Sequence, residues 1–72
     1  MSRVVAITGA TGFIGRALLD ALLENGWKVR ALTRQFSTAK RENLEWIYGD
    51  LDNHAALQKL VGGVYAVIHC AG

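Results

Sequence analysis

Residues 8–15 read TGATGFIG and set glycines at Gly9, Gly12 and Gly15, between the run Arg3 to Thr8 (RVVAIT) and a segment of helical period. The preceding run is almost continuously β-branched, as expected of a strand buried on both faces of a parallel sheet. Glycines at such a strand-to-helix turn do three different things. Gly9 removes a side chain where the backbone bends sharply, Gly12 lets a bulky group approach the main chain, and Gly15 lets the helix pack closely on the strand. Taken alone, the triplet is equally consistent with a tight turn that binds nothing.

The rest of the chain supplies the context. From Phe13 to Asn25, Ile14, Leu18 and Leu22 recur at four-residue steps beside Ala17 and Ala21, with Arg16, Asp20 and Glu24 as a polar stripe. This predicts an amphipathic helix, stopped by Asn25-Gly26. Trp27 to Thr33 (WKVRALT) resumes strand alternation, and a polar loop runs from Arg34 to Asn43. Leu44 to Tyr48 (LEWIY) reads as a third strand. Asp52 is the expected N-cap of a second helix whose inner face carries Leu57, Leu60 and Val61 and which ends at Gly62-Gly63. Val64 to Cys70 (VYAVIHC) is the last apolar strand. The predicted order β-α-β-loop-β-α-β implies an α/β fold, a doubly wound parallel sheet of about four strands with two to three helices and right-handed crossovers.

Within a β-α-β unit the glycine loop becomes an anion cradle, because free N–H groups and the positive dipole end of the Phe13 helix face whatever Gly12 admits. A P-loop would need Lys followed by Ser or Thr after its last glycine, and here Arg16-Ala17 follows. A dinucleotide pyrophosphate is therefore a better match than a nucleoside triphosphate being hydrolysed.

Seventy-two residues make at most one small domain, here 1–72. Its core is marginal, since a chain of about 60 residues buries only about 60% of the surface it exposes unfolded. Cys70, the only cysteine, excludes an internal disulfide and fits a reducing compartment. The apolar stretch before Gly9 is too short for a signal peptide or a membrane span, so a soluble, cytoplasmic protein is expected. The alternation stops after an apolar strand that would leave an exposed sheet edge, so the chain is expected to be the front of a longer protein. A homodimer joined through that last strand is an alternative. Lys28, Arg30, Arg34, Lys40 and Arg41 fall in one segment without an acid. That segment should attract anions; without interleaved aromatics or a reading motif, a small phosphate ligand is expected there rather than nucleic acid.

Three motifs together carry a family resemblance. TGATGFIG resembles the TGxxGxxG fingerprint of the extended short-chain dehydrogenase/reductases, which include nucleotide-sugar epimerases, dehydratases and reductases. GDLDN (Gly49 to Asn53) and VIHCAG (Val67 to Gly72) resemble that family's next two cofactor motifs in order and spacing. The resemblance covers the whole chain and implies a Rossmann-type half-domain binding NAD or NADP. The loop's candidate cofactor-binding residues are Gly9, Thr11, Gly12, Phe13, Ile14 and Gly15. By resemblance Asp50 would bond the adenine amino group, Leu51 would pack on the adenine ring, and Cys70, Ala71 and Gly72 would lie along the adenosine ribose through their backbone. A plain turn-forming role for Asp50 is the alternative.

An NAD-preferring fold usually places an acid about 20 residues after the glycines, on the ribose 2′-hydroxyl. No Asp or Glu occurs between Glu24 and Glu42, and Arg34 stands at the end of the second strand. A guanidinium there can clamp a 2′-phosphate, which favours NADP, with Lys40 or Arg41 as second contacts. An exposed surface arginine is the alternative reading. His69 and Cys70 are strand neighbours on opposite faces, and without a cluster of further ligands no metal is expected. His54 is expected to be solvent-exposed, and Trp27, Trp46, Tyr48 and Tyr65 to pack in the core or at its edges. The family's catalytic site, as the resemblance implies it, pairs Tyr with Lys four residues on. Here the residues four beyond Tyr48 and Tyr65 are Asp52 and His69. No catalytic residue is therefore assigned, and these residues alone are not expected to transfer hydride. A small-molecule substrate would be met elsewhere in the full-length protein, while a non-catalytic dinucleotide sensor or accessory subunit is the rival reading.

Overall fold

The computed structural model describes residues 3–34 and 40–70. They form β1 (Val4–Thr8), α1 (Phe13–Glu24), β2 (Lys28–Thr33), β3 (Leu44–Tyr48), α2 (His54–Val61) and β4 (Ala66–His69). The strands make one parallel sheet in the order β3-β2-β1-β4. Moving outward from β1 to β2 and then back from β3 to β4 with right-handed crossovers puts the two helices on opposite faces. Two apolar clusters reflect this. Ile7, Val29 and Ala31 pack against Leu19 of α1, while Ala6, Leu32 and Ile47 pack against Ala56 and Leu60 of α2. Ile7, Val29 and Leu60 are the largest fully buried side chains, each stabilising the fold by roughly 1.5–3 kcal/mol.

The helix α1 is turned relative to the expected face. Gly15 and Leu19 are buried, Leu18, Leu22 and Leu23 are partly so, and Ile14 is 69% exposed. A Cβ on Gly15 would lie 1.9 Å from the Gly9 carbonyl oxygen, so this residue must face inward. Successive residues are rotated by about 100°, which carries Ile14 outward once Gly15 is fixed. Ala17 and Ala21 are exposed as well.

The cap of α2 is Asn53 rather than Asp52. Asn53 Oδ1 accepts from the Ala56 N–H at 3.0 Å, while the Asp52 N–H donates to Asp50 Oδ1 at 3.0 Å in a turn. This register buries Ala56 and Leu60 and leaves Val61 44% exposed. At the other end of α2, Arg30 of β2 donates through Nη1 to the carbonyls of Lys59 (3.0 Å) and Gly62 (2.7 Å). It also pairs through Nε with Glu45 at 3.4 Å. A cation thus meets the negative end of the helix from the neighbouring sheet. Trp27 and Trp46 pack at the edge of the core, as expected; Trp27 precedes β2 and lies against Tyr65 with ring centroids 5.7 Å apart, and the Arg3 guanidinium sits 4.4 Å above the Tyr65 ring. Tyr48 and Tyr65 are 52% and 60% exposed.

Candidate dinucleotide site

All four parallel strands end on the same edge of the sheet, and a cleft of about 530 Å³ opens there. It lies where the connections diverge, because β1 continues into α1 over one face while α2 returns to β4 over the other. A crevice at such a switch point is the usual ligand site of open α/β sheets. The turn after β1 supplies Thr8, Gly9, Thr11 and Gly12 to its wall. The end of β2 supplies Leu32, Thr33 and Arg34, and the β3–α2 connection supplies Gly49, Asp50, Leu51 and Asp52. His69 and Cys70 close it from β4.

The three loop glycines have separable roles. Gly9 has φ +75°, and a Cβ there would come within 1.9 Å of the Cys70 carbonyl oxygen. Gly15 is pressed against Gly9 in turn, so the end of β4, the loop and α1 are stacked backbone on backbone. Gly12 differs. A Cβ there would meet only the Gly9 carbonyl oxygen, at 3.5 Å, an ordinary contact. Protein packing does not require Gly12 to be bare; the cleft it faces is where a side chain would intrude. Gly12 is also the N-cap of α1, with no side-chain cap bond. The first-turn N–H groups of a helix begun this way are left for an anion.

Seven of the twelve candidate residues line the cleft: Gly9, Thr11, Gly12, Arg34, Asp50, Leu51 and Cys70. Phe13 and Ile14 sit in the first turn of α1 with side chains 93% and 69% exposed, away from the cleft wall. Gly15 lies buried beneath the loop. Ala71 and Gly72 lie outside the described residues. The Asp50 carboxylate is engaged in the Asp52 turn while remaining on the wall, so its turn-forming role is realised. Arg41 is committed elsewhere, in an ion pair with Asp20 of α1, and Lys40 is exposed away from the cleft. Sequence reasoning missed Thr8, Leu32, Thr33, Gly49, Asp52 and His69. Thr8, Thr33 and His69 are the final residues of three parallel strands, a position that by itself marks crevice residues. Among the described residues no group of His, Cys, Asp and Glu could hold a metal ion, and no helix is long and apolar enough to cross a membrane.

A model of the NAD dependent epimerase/dehydratase family matches residues 5–72. The chain belongs to that family. A ceramide reductase of Caulobacter vibrioides is 44% identical over 72 residues, covering 96% of this chain and 23% of its own length. The Bordetella bronchiseptica enzyme WbmH, solved in complex with NAD+, superposes with a TM-score of 0.81 at 32% identity, over 100% of this chain and 27% of that one. A short-chain dehydrogenase/reductase superfamily protein from Agrobacterium tumefaciens with bound NAD gives a TM-score of 0.80 at 30% identity, over 97% and 20%. The chain thus spans about a quarter or less of the length of these family members. The Rossmann-type fold and the extended short-chain dehydrogenase/reductase membership expected from the three motifs both hold.

Proposed function

We propose that this chain is the nicotinamide-dinucleotide-binding part of an oxidoreductase or epimerase, and that it prefers NADP. The observation that carries the reading is the cleft itself: an open crevice at the sheet's switch point, walled by the bare Gly12 and the uncapped start of α1. This is the arrangement in which main-chain N–H groups hold a diphosphate. The two relatives solved with NAD bound support the same cofactor class. When bound, the nicotinamide would supply hydride transfer; the chain's own residues would bind and orient the cofactor.

In this reading Gly9, Thr11 and Gly12 cradle the diphosphate with the first-turn amides of Phe13 and Ile14. Gly15 holds the helix in place beneath them. Asp50 and the exposed Leu51 meet the adenine, and Cys70 with Ala71 and Gly72 follows the ribose. Arg34 stands exposed on the wall where β2 ends, and no Asp or Glu occurs between Glu24 and Glu42, where an NAD-preferring fold usually places its acid; this supports NADP over NAD. A cytoplasmic setting accords with the single thiol Cys70. The substrate and the reacting groups belong to the full-length enzyme, for which the ceramide reductase at 44% identity favours a reductase.

Calorimetric titration with NADP and NAD tests the cofactor assignment. Arg34→Ala should weaken NADP by about 1.5–3 kcal/mol, roughly ten- to 150-fold, and leave NAD nearly unchanged. Equal losses for the two cofactors would remove Arg34 from the 2′-phosphate role.

A further inference from the structure

The wall that carries Asp50 and Leu51 rests on a contact behind it. Gly49 leaves β3 with φ +154°, a conformation that residues with a side chain rarely adopt, and a Cβ there would lie 2.5 Å from the Ala56 Cβ. Two carbons in contact need about 3.5–4.0 Å. Ala56 is buried on the inner face of α2 and does not line the cleft. There is no room for another carbon between them, so α2 sits as close to the end of β3 as two small residues allow.

The connection from β3 to α2 is also tied at both ends. The Gly49 N–H donates to the Thr33 carbonyl at 2.8 Å, which fixes it to the end of β2 beside Arg34. The Asn53 N–H donates to the Asp50 carbonyl at 3.1 Å. Both ties are main-chain bonds. Between them the Leu51 side chain is held more than half exposed on the cleft wall. An apolar group presented on a fixed backbone loses little further freedom when a flat ring lands on it.

We propose that Gly49 and Ala56 are positioning residues for the adenosine half of the dinucleotide: their small size sets how far back the Asp50–Leu51 wall stands, and with it the width of that half of the cleft. The inference rests on the dinucleotide reading above. A carbon added at either position must be accommodated by moving the helix or the connection. The helix is held by Leu60 in the core and by Arg30 on the carbonyls at its far end. Residues 50–53 are exposed, so the connection is the part that yields. Binding groups need to stay within about 0.5 Å of their productive places, and a crowded contact behind the wall moves them by that order.

The test is calorimetric titration of the intact protein with ADP, which carries the adenosine half and the diphosphate without nicotinamide, beside urea unfolding of each variant. Ala56→Val should weaken ADP about three- to thirtyfold in the folded protein, although the residue lies outside the cleft lining. A residue that serves stability alone would lower the urea midpoint and leave the affinity of the folded protein unchanged. If Ala56→Val does not fold, Ala56→Ser, one heavy atom larger than alanine, takes its place with the same expected direction. Gly49→Ala should weaken ADP as well. Gly49→Ala combined with Ala56→Gly moves the methyl from one side of the contact to the other. In that double variant ADP affinity should return to within about threefold of wild type, while stability stays lowered by the strained φ at residue 49 and by glycine inside α2. A folded Ala56→Val or Ala56→Ser protein that binds ADP as wild type does, or a double variant that binds as weakly as Gly49→Ala, overturns the proposal and leaves the cofactor assignment standing. Failure of the wild type to bind ADP, NAD or NADP removes both.

Discussion

The two helices of this chain begin in opposite ways. The first residue of α2 is preceded by Asn53, whose side chain accepts from the Ala56 N–H, and its far end is met by the Arg30 guanidinium. Its polar ends are satisfied from within the protein. The N-cap of α1 is Gly12, which has no side chain to offer, and the helix opens on the cleft. Both helices have a comparable task against the sheet, so the difference lies in what their N-termini face. One end is closed by a local cap for stability; the other is left open where an anion can serve as the cap. Within the glycine loop the same division recurs, since Gly9 and Gly15 are bare because backbone presses on them, and Gly12 is bare towards the cleft.

The largest expected effect breaks the packing side of this comparison. Gly15→Val would place a Cβ 1.9 Å from the Gly9 carbonyl oxygen, which no side-chain rotation relieves. It should destabilise the fold by about 3 kcal/mol or more, read as a lower urea midpoint with cofactor binding lost in consequence. A smaller effect sharpens the helix-end comparison. Asn53→Ala should cost about 1 kcal/mol of stability in the same unfolding assay. Its NAD affinity should stay unchanged at temperatures where the protein is folded, because Asn53 closes a helix end and does not line the cleft.

Element order was almost entirely legible in the sequence, because the buried strand β1 leaves the run VVAIT and even the half-exposed edge strand β4 keeps the apolar run Ala66 to Ile68, which local patterning detects. The β3 bounds, Leu44 to Tyr48, were read without error. The helix faces were not legible to the same degree. Apolar spacing at Ile14, Leu18 and Leu22 describes one possible stripe, but the face presented to the sheet was set by Gly15, a close approach that hydrophobicity does not encode. The choice between Asp52 and Asn53 as cap turned on a carboxylate already engaged in a turn, a competition between neighbours of similar propensity. At the site, the motif residues were found because each sits in a local signature. The hydrogen bond between Thr8 and His69 on the cleft wall was not, since it depends on the register of strands 61 residues apart. Arg41 was misdirected for the same reason, its partner Asp20 lying on α1.

The most direct measurement of the central claim is NAD binding by Gly12→Ala beside its thermal unfolding. A methyl at this position meets no prohibitive contact in the protein, and Gly12 lines the cleft proposed to receive the diphosphate. The variant should melt within a few degrees of wild type and bind NAD about tenfold more weakly or worse. Wild-type affinity in a folded Gly12→Ala protein would contradict the claim that the bare main chain of this loop receives the dinucleotide.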